Sequence, residues 1–116
     1  MEINVSWYEV TDLEAAKRFY GEVLGLKKTL EMEGWVEFSH TNDGPSIGLA
    51  LAKEPSSAGA TVVLRVDDLD QARDELTRQG VQFEGMVEEV PGMVRLASFR
   101  DPCGNRLQLC QVLMNQ

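Results

Sequence analysis

The stretch Val10-Thr11-Asp12-Leu13-Glu14-Ala15-Ala16 is echoed, at one fixed offset, by Val66-Asp67-Asp68-Leu69-Asp70-Gln71-Ala72. Each copy closes a strand-like run and opens a helix-like one. The first run is Ile3 to Val10. The second is Thr61 to Val66, in which Val62, Leu64 and Val66 share one face. At the helix starts, Thr11 with Glu14 fits a capping box, and Asp67 with Asp70 is an acidic variant of it. Asp12 and Asp68 put negative charge at the positive end of each helix. Leu13, Ala16, Tyr20, Val23 and Leu24 then fall on one helical stripe, as do Leu69, Ala72 and Leu76 in the second copy. Gly25 and Gly80 are suited to end the helices.

Three strand candidates follow each helix. In the first copy they are Lys27–Met32, Trp35–His40 and Ser46–Ala52, with Asn42-Asp43-Gly44-Pro45 as a turn. In the second they are Val81–Glu88, Met93–Phe99 and Arg106–Leu113, with Asp101-Pro102-Cys103-Gly104-Asn105 as a turn. A linker at 53–59, rich in Pro, Ser and Gly, separates module one (1–52) from module two (60–116). The expected fold is therefore α+β, with two tandem β-α-β-β-β modules forming a cupped, mostly antiparallel eight-stranded sheet. One helix cannot cover both faces of a module's sheet, so the modules are expected to pair.

Composition narrows the function classes. A chain of 116 residues suits a single domain, and 43% apolar with 26% charged residues is globular rather than disordered composition. A net charge of −8 argues against binding nucleic acid, whose phosphates call for clustered Lys and Arg. No apolar run reaches the ~20 residues of a membrane span, and Met-Glu-Ile-Asn-Val has no basic signal region, so a cytoplasmic protein is expected. Cys103 and Cys110 would lie about 23 Å apart on an extended segment, beyond disulfide reach. With His40 as the only histidine, a Cys/His zinc site is excluded as well. Cys103, in its turn, reads as exposed and oxidisable, and Cys110 as a buried small apolar residue.

Thr11-Asp12-Leu13-Glu14 leading to Phe19-Tyr20, then Val23-Leu24-Gly25-Leu26, resembles the vicinal oxygen chelate superfamily of glyoxalase I, bleomycin-resistance proteins and extradiol dioxygenases. Phe99-Arg100-Asp101-Pro102-Cys103-Gly104-Asn105-Arg106-Leu107 is similar to that family's F-x-D-P-x-G-N hairpin. Such a fold hosts many activities. The resemblance implies, for metal-dependent members, a divalent cation held by His, Gln or Glu from the first and last strands of each module. The matching positions here are Val5, Gly48, Thr61 and Gln108. Valine and glycine offer no donor, threonine is a weak neutral ligand, and one glutamine does not hold an ion. Neither a metal nor another cofactor is therefore expected.

Strand alternation predicts what faces away from the helices. Val5, Trp7 and Glu9 do so on the first strand, Trp35, Glu37 and Ser39 on another, and Thr61, Val63 and Arg65 on the strand that opens module two. Leu107 and Leu109 face the helix, which turns Arg106, Gln108 and Cys110 the other way. Arg95 is expected to join them, on a strand that Met93, Ala97 and Phe99 make apolar on both faces. Two tryptophans with a few polar groups suit a flat ligand, or simply fill space. Glu9, Glu37 and His40 are candidate general bases, or solvated side chains near strand ends.

The leading reading is a metal-free small-molecule-binding protein of the bleomycin-resistance kind, holding an aromatic or amphipathic molecule. One alternative is a metal-dependent lyase, isomerase or dioxygenase with non-standard ligands such as Glu9, Glu37 or His40. The other is a ligand-free structural or regulatory dimer. A two-fold homodimer is expected as the assembly.

Overall fold

The computed structural model describes residues 1–54, 59–102 and 104–113. The expected linker, 53–59, falls largely outside these residues, and so does Cys103. The chain divides into two compact units, Asn4–Ala60, and Thr61–Gln116 together with Met1–Ile3.

The unit Asn4–Ala60 holds most of β1 (Glu2–Val10), then α1 (Leu13–Arg18), β2 (Lys27–Met32), β3 (Trp35–Ser39) and β4 (Ser46–Leu51). Its strands lie in the order β2-β3-β4-β1. β1 and β4 are parallel, and the other two pairings are antiparallel. The second unit repeats the plan with β5 (Thr61–Arg65), α2 (Leu69–Arg78), β6 (Phe83–Val90), β7 (Val94–Arg100) and β8 (Arg106–Val112). The order there is β5-β8-β7-β6, with β5 and β8 parallel and the rest antiparallel. The β-α-β-β-β repeat and the α+β class read from the sequence are thus the architecture of the chain. Among the described residues no helix is long and apolar enough to cross a membrane.

Both helices start on an aspartate, one residue later than the capping-box reading. Asp12 has extended backbone and its Oδ1 accepts from the Ala15 N–H at 3.0 Å. Asp68 does the same for Gln71 at 3.1 Å. Thr11 and Asp67 therefore precede the caps. A carboxylate at the cap combines the hydrogen bond with the favourable end of the helix dipole. The end of α2 is equally well defined. Gly80, at φ 98°, lets its own N–H bond Thr77 O and the Val81 N–H bond Leu76 O, each at 3.0 Å. This paired arrangement satisfies the last carbonyls, and it brings Val81 onto the same cluster as Leu76.

The helix of the first unit differs from its expected stripe. After Arg18 the chain widens into a π turn, Phe19–Val23, where the Leu24 N–H reaches back five residues to Phe19 O. The extra residue per turn rotates Val23 and Leu24 off the packed face, and they are 70% and 50% exposed. Tyr20 is the last residue of the stripe in the core.

Each unit has its own core between helix and sheet. In Asn4–Ala60, Val36, Phe38 and Leu49 are buried against Leu13, Ala16 and Tyr20. In the second unit, Leu69, Ala97, Phe99 and Leu109 are buried with Ala72, Leu76 and Leu107. The edge strand β2 is tied back to α1 by charge. Glu31 pairs with Lys17 of α1 and with Lys28, and these two ammonium groups, Lys17 foremost, hold its carboxyl down to about 2. The turn before β8 is closed by Asp101, whose Oδ1 and Oδ2 accept from the backbone and side-chain N–H groups of Asn105 at 2.9 Å.

These contacts rank two substitutions. Leu69→Ala, at a fully buried side chain, should destabilise the chain by about 2–5 kcal/mol. Asp68→Ala, which removes only the cap, should cost about 1 kcal/mol. Urea unfolding curves check both, and the reverse order would contradict the packing described here.

Candidate functional site

Alternation along each strand gives every unit a second sheet face, turned away from its helix. In Asn4–Ala60 the pairing registers line up Trp7, Gly48, Glu37 and Leu30 across β1, β4, β3 and β2. The next row holds Glu9, Ala50, Trp35 and Met32. Val5 sits opposite Ser46 one row in the other direction. Trp7, Trp35, Glu37 and Ser46 are half-buried, and Val5 and Gly48 are buried.

These residues touch. The indoles of Trp7 and Trp35 meet edge to face, with centroids 5.7 Å apart and planes 68° apart. Trp35 Nε1–H donates to Glu37 Oε2 at 2.8 Å. Ser46 Oγ–H donates to Glu37 Oε1 at 3.1 Å. The carboxylate is thus gripped by one donor from β3 and one from β4. Gly48 makes this possible. A Cβ there would stand 2.6 Å from Cη2 and Cζ2 of Trp35 and 3.0 Å from Trp7 Cβ. The Trp35 ring lies where a side chain at 48 would go.

Five of the sequence-selected residues, Val5, Trp7, Trp35, Glu37 and Gly48, therefore share one face, and Trp7, Trp35, Glu37 and Gly48 are in contact on it. Ser46, Leu30 and Met32 belong to that face as well and were not singled out from the sequence. Ser46 stands two residues before Gly48 on the same strand, and Leu30 and Met32 flank Glu31, so alternation carried a signal for all three.

The corresponding face of the second unit is different in kind. Thr61, Val63, Ser98, Gln108 and Cys110 are buried there. Gln108 Nε2–H donates to Ser98 Oγ at 3.2 Å across β8 and β7. Arg65 is exposed at the end of β5, and Arg106 is half-buried at the start of β8. Arg95 corrects the expectation. It lies on the helix side, where its Nη1 and Nη2 donate to Asp70 of α2 at 3.3 and 3.1 Å. That contact, with Glu89 and Asp68 nearby, raises the guanidinium pKa further. The reason is parity. Residues 95, 97 and 99 alternate onto one face, and Ala97 and Phe99 are in the helix-side core. β7 is therefore not apolar on both faces through those residues, and Ser98 marks its other side.

The positions that the resemblance assigns to a metal do not fit one. Val5 carries no donor. Gly48 carries none, and the Trp35 ring fills its side-chain space. Thr61 offers a neutral hydroxyl, and the Gln108 amide is engaged with Ser98. The non-standard candidates do not assemble either. Glu37 is bonded to Trp35 and Ser46, and His40 is exposed beyond the end of β3. Among the described residues, no three His, Cys, Asp or Glu side chains come together. Hard divalent ions require several oxygen or imidazole ligands.

Comparison with known proteins agrees with the fold. A family model described as the Glyoxalase/Bleomycin resistance protein/Dioxygenase superfamily matches residues 5–109. No curated protein matches the chain by sequence. Among solved structures, a hypothetical protein of Bacillus halodurans superposes with a TM-score of 0.80 at 14% identity, covering 99% of this chain and 96% of that one. Methylmalonyl-CoA epimerase from Mycobacterium tuberculosis gives 0.75 at 18% identity, covering 96% and 87%. The Mn(II)-bound glyoxalase from Novosphingobium aromaticivorans gives 0.70 at 23% identity, covering 97% of this chain and 39% of that one. Likeness at these identities speaks to the fold alone.

The close approach at Gly48 has a measurable consequence. Gly48→Ala should destabilise the chain by about 1–3 kcal/mol, because the new methyl group overpacks against the Trp35 ring. Adding Trp35→Ala removes the collision, so the double variant should be more stable than the two single costs together imply, by at least about 0.5 kcal/mol. Strict additivity in a denaturant double-mutant cycle would place the ring elsewhere.

Proposed function

The chain belongs to the Glyoxalase/Bleomycin resistance protein/Dioxygenase superfamily, and we propose that within it this protein is a metal-free binder of an aromatic or amphipathic small molecule. One observation carries the reading. Two half-buried indoles lie together on the sheet face of Asn4–Ala60 opposite its helix, with a carboxylate fixed beside them. Small-molecule sites combine apolar and aromatic walls with a small number of placed polar groups. Rigid indoles present large contact areas at low entropic cost. The proposed binding face is Val5, Trp7, Trp35, Glu37 and Gly48.

Sequestration in the manner of a bleomycin-resistance protein is preferred over lyase, isomerase or dioxygenase chemistry, because Val5 and Gly48 offer no metal donor, and Thr61 and Gln108 offer only a neutral hydroxyl and an amide already bonded to Ser98. The ligand-free reading is less favoured, because space-filling alone does not account for a half-buried carboxylate held by two donors on an aromatic face.

Titration with flat aromatic compounds should quench tryptophan emission saturably for at least one compound class. Trp35→Ala should weaken that binding about ten-fold or more, equivalent to about 1.4 kcal/mol. Protein purified without chelator should contain no stoichiometric zinc, iron, nickel or manganese. A stoichiometric metal, or emission indifferent to every compound, would overturn the reading.

The proposed assembly is a two-fold homodimer, the commonest closed symmetry, which shields open sheet edges. Light scattering at micromolar concentration should return twice the 12.9 kDa chain mass. A monomer mass would refute it.

A further inference from the structure

The ligand's chemistry follows from how Glu37 is held, granted the binding face proposed above. An ionised carboxylate offers about four lone-pair sites on its two oxygens. Trp35 takes one on Oε2 and Ser46 takes one on Oε1. Each oxygen therefore keeps acceptor capacity, and the two donors fix the plane of the group. A carboxylate in that condition matches a partner that presents two parallel N–H bonds, as in fork-to-fork recognition of guanidinium groups.

The surroundings select charge and shape. The faces of indole rings are negative and attract cations. Lys27, the same-face cation at the start of β2, is exposed and directed to Asn42 Oδ1 at 3.1 Å. Arg95 is on the helix side of the other unit, held by Asp70. An anion on this face would meet Glu37. A neutral amide brings no charge to offset the carboxylate. The geometry points to a planar organic cation of the amidine, guanidine or amino-heteroaromatic type, with its paired N–H bonds on Glu37 and its ring against Trp35 or Trp7. This inference rests on the small-molecule reading and adds to it the sign of the ligand and the residue that sets it.

A matched series isolates the effect: benzamidine, benzamide and benzoate share a ring and differ in the head group. The readout is the indole Nε1–H resonance of Trp35 in ¹H–¹⁵N spectra, because that N–H is bonded to Glu37. Benzamidine should bind about ten-fold or more tightly than benzamide, and benzoate should leave the resonance in place. Glu37→Gln should reduce the benzamidine preference to less than about three-fold and leave benzamide binding intact. Ser46→Ala, which keeps the charge and loosens its orientation, should retain part of the preference and serves if Glu37→Gln fails to fold. Equal binding of benzamide or benzoate in the wild type, or a preference that survives in Glu37→Gln (in Ser46→Ala, one left undiminished), would overturn the inference while leaving the binding face standing. If none of the three compounds moves the resonance, this inference fails; the binding-face reading falls only if tryptophan emission is also indifferent to every flat aromatic compound.

Discussion

A β-strand has two faces, and each module of this chain has one helix to spend on them. Everything else in the structure follows from how the remaining face is managed. On the helix side both units arrive at the same solution: an aspartate-capped helix laid over Leu, Val and Phe from the strands. On the other side they diverge. Asn4–Ala60 uses two indoles, a glycine and a bridged carboxylate. The unit from Thr61 onward uses Val63, Cys110 and a buried Gln108–Ser98 hydrogen bond. The repeat is thus maintained where the helix packs and is free to vary where it does not.

The same constraint explains what could be read from the sequence. Alternation needs only parity, so Trp7, Trp35 and Glu37 could be assigned to one face without coordinates, whereas Gly48 was named only through the family resemblance. Where parity was misapplied, as for Arg95, the structure returned the side that Ala97 and Phe99 dictate. Contacts between strands are another matter. The Ser46–Glu37 bond depends on the offset of β3 against β4, which the turn at 40–45 sets and which a linear pattern does not encode. Local backbone choices were also hidden. Both Thr11 and Asp12 are good cap residues, and the selection of Asp12 rests on which one leaves the strand with extended φ and ψ. The π turn at Phe19–Val23 adds one residue to a helical turn, and no residue type there announces it.

Gly48 links the two halves of the functional reading. The absence of a side chain removes a potential metal donor and, in the same stroke, opens the space that Trp35 occupies. An indole over position 48 and a ligating side chain at position 48 exclude each other. At position 48 the aromatic packing and the missing metal donor are therefore one structural fact seen from two sides. The hydrogen bond from Trp35 to Glu37 then turns a space-filling ring into a polar support, since the indole N–H would otherwise require another acceptor.

The placement of the aromatic residues also governs what spectroscopy sees of this chain. Trp7, Trp35, Tyr8 and Tyr20 account for every tryptophan and tyrosine, and all four lie within Asn4–Ala60. The second unit has only Phe83 and Phe99 as its aromatic pair, with ring centroids 5.3 Å apart and planes tilted by 59°. Indole emission and near-ultraviolet absorbance thus report one half of the molecule and are almost silent about the other. Far-ultraviolet dichroism, by contrast, draws on the strands and helices of both. Unfolding curves from the two signals coincide only when the halves melt together, so the uneven distribution of chromophores makes an ordinary pair of measurements a gauge of cooperativity between the repeats.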